Sequence, residues 1–241
     1  MRTPYHTGSL ANTGRAGEAS SMLEHPSRVI VRLPRTPIFR YVIPIMARTA
    51  TLTRKTAETD ITVSLNLDGS GLGAISTGVG FFDHMLTALC RHALIDMDIK
   101  ATGDTHIDFH HTVEDVGIVI GQALLKALGE KRGIGRFGHA TIPMDEALVE
   151  ASIDISGRAY TGWDVRFNAP KVGEMDTELF EEFFRALASN ALIALHIRQL
   201  AGTNTHHVAE ACFKATARAL RQAIEPDTRL GSAIPSTKGA L

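Results

Sequence analysis

Apolar and polar residues alternate along Ile61-Thr-Val63-Ser-Leu65-Asn-Leu67, the period of a strand with one buried face. A shorter strand over 49–53 precedes it. A glycine-rich turn at 68–73 and a strand over 74–77 complete a meander. Phe81, Met85, Leu86 and Leu89 then recur at helical spacing, which predicts a helix over 80–91. Alternation returns over 93–101, and Asp108 precedes a second helix over 110–128. The second half repeats the logic: strands over 147–155 and 160–168, a helix over 178–192, a strand over 194–200 and a last helix over 206–224. Gly202-Thr-Asn204 supplies the turn and cap of that helix. The chain thus carries two copies of a unit ending helix, strand, turn, helix, with halves at about 47–135 and 136–241. Two such halves pack through their helices with the sheets outside, an α+β layer arrangement.

The first 45 residues do not share this patterning. They hold six arginines, no lysine and two acidic residues, with no sustained period. A transit peptide, a disordered extension, and a true start at Met46 all fit; the third is favoured, because everything that reads as folded begins at Arg48. We therefore treat 1–46 as an extension and 47–241 as the working domain.

Composition excludes some functions. Charged residues make up 21% of the 241 and the formal net charge is −1, so the broad basic field that nucleic acid requires is missing. No run of 18 apolar residues occurs, so no membrane partner is expected. Cys90 and Cys212 lie in predicted helices and read as buried filler in a reducing, cytoplasmic setting.

The chemistry concentrates in two blocks, His110-His111-Thr-Val-Glu114 and His206-His207-Val-Ala-Glu210, which share the pattern HHxxE. One such block arises by chance in about three chains of this composition in a hundred; two in matching surroundings do not. Imidazole and carboxylate are metal ligands, and on a helix both histidines face the glutamate. Adjacent histidines diverge by about 100°, so each pair serves two ions, and the chain is expected to bind two. His84, in Phe81-Phe-Asp-His-Met, is a further candidate ligand, and Glu182 stands at the matching place in the second half. His196 reads as a hydrogen-bonded structural residue of its strand. Lys214 continues the stripe of His206 and Glu210, whereas Ile118 occupies the matching place in the first block, so one anionic group is expected to enter from one side. Arg136, Arg158 and Ser236-Thr237-Lys238 offer further donors suited to phosphate. A zinc hydrolase is disfavoured because the blocks read HHxxE rather than HExxH; a metal-buffering protein would need the ligands but not the phosphate donors.

With these residues in view, the chain resembles the imidazoleglycerol-phosphate dehydratases from residue 48 to 241. The resemblance rests on Arg54-Lys-Thr-Ala-Glu58-Thr, Phe81-Phe-Asp-His84-Met-Leu, His110-His-Thr-Val-Glu114-Asp, Gly202-Thr-Asn-Thr-His206-His-Val-Ala-Glu210, Phe213-Lys214-Ala and Pro235-Ser-Thr-Lys-Gly. It implies a duplicated four-stranded sheet unit with the helices sandwiched between two sheets. It also implies a large homo-oligomer, a 24-mer built from trimers, with active sites at subunit interfaces. Two Mn2+ per site would be held by His84, His110, His111, Glu114, His206, His207 and Glu210, with Glu182 where many relatives carry histidine. The implied reaction is dehydration of D-erythro-imidazole glycerol phosphate to imidazole-acetol phosphate in L-histidine biosynthesis. No carbonyl activates the departing proton, so an imidazole gripped by a cation at each nitrogen would serve as the electron conduit, through imidazolate and diazafulvene forms. In that scheme His84, His110 and His206 belong to the catalytic set, Glu58 transfers a proton, and His92, Arg136, Arg158, Lys214, Ser236, Thr237 and Lys238 contact substrate.

Overall fold

The computed structural model describes residues 47–241; the readings made for 1–46 lie outside the described residues. Two four-stranded sheets carry the fold. The first comprises β1 (Thr49–Lys55), β2 (Thr59–Asn66), β3 (Ile75–Ser76) and β4 (Asp96–Gly103), in spatial order β1-β2-β4-β3. The second comprises β5 (Phe137–Met144), β6 (Ala147–Asp154), β7 (Tyr160–Asp164) and β10 (Ala194–Ala201), in order β5-β6-β10-β7. Each half therefore has its first two strands and its last antiparallel, with its third strand parallel at the edge. The duplication read from the HHxxE blocks is a duplication of topology.

Side chains on β2 explain which face is buried. Ile61, Val63 and Leu65 are shut from solvent, while the opposite face pairs Thr51 with Ser64 at 2.9 Å and Thr53 with Thr62 at 3.0 Å across the β1–β2 ladder. Helices α2 (His110–Leu128) and α4 (Thr205–Ile224) lie on the apolar faces of the first and second sheets respectively. Helices α1 (Gly80–Ala93) and α3 (Glu178–Ala191) then cross over, α1 packing on α4 and α3 on α2. One continuous core results, with both halves contributing to it. Gly117 and Gly121 let α2 and α3 approach closely, since a Cβ at either would stand 2.8 Å from the Phe183 carbonyl oxygen or 2.6 Å from that of Leu187. Leu94 and Leu192 end α1 and α3 in the same left-handed conformation, at φ 54° each.

Three strands escape the periodicity. Strand β5 holds Gly138 and Pro143, residues that weaken a strand pattern; its place at the sheet edge is where proline is tolerated. The hairpin of β8 (Lys171–Val172) and β9 (Met175–Asp176) is too short to show any period. Helix α1 also runs to Ala93, so β4 begins three residues later than the alternation suggests, and β7 ends at Asp164 rather than 168. Among the described residues the His196 side chain makes no hydrogen bond; it is exposed, with its ring 5.2 Å from that of Tyr160, so the side-chain role expected for it is packing rather than bonding. Both cysteines are buried and free, as expected.

Candidate active site

The N-terminal turns of α2 and α4 carry the two HHxxE blocks. Asn204 caps α4, its side-chain oxygen accepting the N–H groups of His206 at 3.0 Å and His207 at 3.3 Å. Asp108 does part of the same work for α2 through the N–H of His110 at 2.8 Å. Within each block the adjacent rings diverge as helical geometry requires, with centroids 6.1 Å apart and planes at 85° in the first and 81° in the second.

The packing of α1 on α4 brings His84 to His206 and Glu210. Their Nε2 atoms lie 3.3 and 3.2 Å from Glu210 Oε2, and the three potential ligand atoms fall within 4.8 Å of one another. Two imidazole nitrogens and one carboxylate oxygen suit a divalent ion such as manganese or zinc. Glu210 is 7% exposed. Burial opposes its charge, but the Lys214 ammonium at 2.6 Å, with His206 and His84, outweighs burial and holds its pKa below the ordinary value. Lys214 therefore steadies the candidate ligand carboxylate as well as placing a positive charge beside it. His92 sits close by on α1, where burial first, then the charges of Lys214 and Arg218, push its pKa down.

The matching set on α2 and α3 does not close. His110 Nε2 and Glu114 Oε2 are 3.9 Å apart, but Glu182 turns along its own helix to Arg185 at 3.6 Å. Among the described residues only the His84–His206–Glu210 group meets a three-ligand distance.

The second histidine of each block is held by a carboxylate that the motif does not contain. Asp104, in the loop after β4, meets His111 Nδ1 at 3.0 Å, and Glu146, in the β5–β6 turn, meets His207 Nδ1 at 2.7 Å. Each raises the pKa of its histidine, and the His207 bond is the main cause that draws Glu146 down to about 2. With Nδ1 engaged, Nε2 of each ring is left for a ligand role. Glu58, in the β1–β2 turn, stands 3.8 Å from His111 Nδ1 with its side chain 54% exposed. It is the topological counterpart of Glu146. The two halves differ: in the second the hairpin acid itself holds the histidine, while in the first Asp104 does so and the Glu58 carboxylate, 3.8 Å from the same ring, makes no hydrogen bond among the described residues.

Apart from Lys214, the expected phosphate donors lie elsewhere on the chain. Arg136 gives Nε and Nη2 to Asp154 at 2.7 and 3.2 Å and Nη1 to the Pro235 carbonyl oxygen at 2.9 Å, fastening the C-terminal segment. The Arg158 N–H reaches Ser156 Oγ, and the Lys238 N–H reaches Ser236 Oγ, at 3.3 and 3.2 Å. Among the described residues Arg158 and Lys238 carry no ion pair, and Thr237, next to Lys238 in sequence, is exposed. No hydrogen bond or ion pair among the described residues joins these donors to the histidine cluster. Neither Asp104 nor Glu146 was singled out from sequence; the signal available was an acid in the turn facing each HHxxE helix.

The family model for imidazoleglycerol-phosphate dehydratase matches residues 77–220. The chain belongs to the imidazoleglycerol-phosphate dehydratase family. It is 68% identical over 196 residues to the enzyme of that name from Granulibacter bethesdensis, covering 81% of this chain and all of the relative. It is 66% identical over 195 residues to that of Gluconacetobacter diazotrophicus, at 81% and 98% coverage. Among solved structures, the dehydratase of Pyrococcus furiosus in complex with (S)-C348 matches at a TM-score of 0.69 and 41% identity, over 79% of this chain and 100% of that one. The Staphylococcus aureus dehydratase matches at 0.68 and 43%, over 74% and 99%. The imidazoleglycerol-phosphate dehydratase family comprises hydro-lyases, and this chain is one. Among the described residues no helix is long and apolar enough to cross a membrane.

Proposed function

We propose that the chain dehydrates D-erythro-imidazole glycerol phosphate to imidazole-acetol phosphate, as a step of L-histidine biosynthesis, with two Mn2+ per active site. The observation that carries this reading is the meeting of His84, His206 and Glu210, three donors of the right chemistry drawn from both halves of the chain. Metal ions bound at both ring nitrogens would act as Lewis acids that make the imidazole an electron reservoir for the imidazolate and diazafulvene route. His110, Glu114 and Glu182 are the candidate ligands of the matching site. His111 and His207 are aimed by their carboxylates away from their own block partners, so each is suited to complete a site with a neighbouring copy of the chain. This favours a homo-oligomer with sites shared between copies; that it is a 24-mer of trimers is what the family resemblance implies.

The chain's own groups divide the remaining work. Hydroxide departs from the carbon next to the ring, and Glu58 takes the proton from the following carbon, giving an enol that becomes the ketone. A positioned general base contributes about 10²–10⁴-fold, and Glu58 is the hairpin acid whose carboxylate makes no hydrogen bond among the described residues and whose side chain is more than half exposed for that task. Arg136, Arg158, Lys214, Ser236, Thr237 and Lys238 hold the phosphate, and His92 lies against the substrate, so that the carbinol is aligned with the base. Incubating the manganese-loaded protein with imidazole glycerol phosphate should yield the acetol phosphate. Glu58→Gln should keep the metal but lose at least about a hundredfold in turnover; wild-type turnover in that variant would remove Glu58 from the reaction.

A further inference from the structure

Glu58 carries the proton-transfer role proposed above, yet its side chain is more than half exposed and no direct hydrogen bond fixes its carboxylate. Its counterpart Glu146 is pinned by the N–H groups of Thr203 and Asn204 and by His207. Something else must hold the first hairpin where its acid meets α2. The residue placed to do so is Asp115, one position beyond the ligand Glu114. It is 7% exposed and accepts two bonds from the hairpin: Thr59 Oγ1 at 2.5 Å and Arg54 Nε at 2.9 Å. Thr59 is itself 4% exposed, and its hydroxyl lies 3.2 Å from that of Thr56. Thr56 Oγ1 in turn accepts the backbone N–H of Glu58 at 3.0 Å and of Thr59 at 2.9 Å. An unbroken hydrogen-bonded path thus runs from the second turn of α2 to the main chain of Glu58. Among the described residues the second half has no such path: the residue after Glu210 is Ala211, wholly buried and without a polar side chain.

We propose that Asp115, acting through Thr59 and Thr56, is the positioning residue for Glu58: it locks the β1–β2 turn to the helix that bears the metal ligands, and so sets the reach of the free carboxylate. The inference rests on the reading of Glu58 as the group that moves the proton. A buried acid accepting bonds from both strands of a hairpin fixes that hairpin better than surface contacts do, and a misplacement of about 1 Å at a reacting group costs up to about a hundredfold in rate.

The test is a double-substitution cycle in the manganese-loaded full chain. Asp115→Asn and, separately, Thr59→Val should each lower kcat about tenfold to a hundredfold, with KM and bound manganese unchanged. Hydrogen exchange of the backbone over residues 56–60 should quicken in both. In a Glu58→Gln background either substitution should lower kcat by no more than about twofold, because the group it positions is already gone. Thr59→Val carries the same test if Asp115→Asn does not fold. A full loss repeated in the Glu58→Gln background, a loss of manganese, or an unchanged kcat in the presence of Glu58 overturns the clamp. Unimpaired turnover in Glu58→Gln alone would instead overturn the role of Glu58, and the clamp with it.

Discussion

Replacing Glu146 by glutamine alters a single group, and the geometry dictates the effect on metal binding. The carboxylate now uses Oε1 to accept the N–H groups of Asn204 and Thr203 at 2.8 and 3.2 Å, and Oε2 to meet His207 Nδ1 at 2.7 Å. Glutamine has only one oxygen, and two backbone donors already claim that position. Its amide NH2 must then face His207 Nδ1. Two donors cannot oppose each other there, so the ring proton moves to Nε2 and Nδ1 becomes the acceptor. Nε2 is the nitrogen that would bind metal in the proposed site, and once protonated it has no lone pair to give. Loss of such an orienting partner lowers metal affinity by about 10–100-fold. Manganese titration by calorimetry on the wild type and Glu146→Gln would show it. Glu150→Gln, which removes the same charge from a strand residue 3.9 Å from Arg198, serves as the control. Equal affinity in Glu146→Gln and wild type, or an equal loss in both variants, would refute the tautomer argument.

Three other consequences arise from the same structure. Lys238→Ala should raise the substrate's KM with little change in kcat, read from steady-state kinetics; an unchanged KM in an intact assembly would argue against phosphate binding by the tail. Gly117→Ala should destabilise the fold in denaturant titrations despite the better helix propensity of alanine, since its Cβ would stand 2.8 Å from the Phe183 carbonyl oxygen; overpacking costs about 1–3 kcal/mol against a propensity gain of about 1 kcal/mol. Asp96 accepts the N–H groups of Leu72 and Ser70 at 3.0 and 2.7 Å, and these bonds hold its pKa below 3.8. Its contribution to stability is present above that value and is lost as pH falls through the lower folded one. Asp96→Asn should therefore flatten the acid limb of stability against pH, followed by thermal melting.

The sequence made periodic elements readable and one-off contacts opaque. Strand β2 and all four helices show their buried faces as intervals of two or three to four residues, so their existence needed no tertiary information. Strand β5 did not, because Gly138 and Pro143 interrupt its alternation and only its place at the sheet edge makes them acceptable. The same divide runs through the site. His84, His206 and Glu210 were legible because two of them share one helical turn and the third lies in a repeat of the same plan. Glu182 occupies the corresponding repeat position, yet its carboxylate goes to Arg185, a choice of rotamer and partner that no spacing encodes. Asp104, Glu146 and Asp115 act across loops and between elements; Asp115 and Arg54 are separated by 61 positions, and only the folded hairpin brings them together. Glu58 could be named from its motif, but that its carboxylate makes no hydrogen bond among the described residues while that of Glu146 makes three becomes visible only when the two hairpins are compared in space.

A crystal structure of the manganese-loaded assembly with a non-reactive imidazole phosphate tests the account most directly. It should show one ion at each ring nitrogen, with His84, His206 and Glu210 holding one of them and Glu58 facing the first two carbons of the side chain. A lone ion, or a ring lying away from that triad, would contradict it.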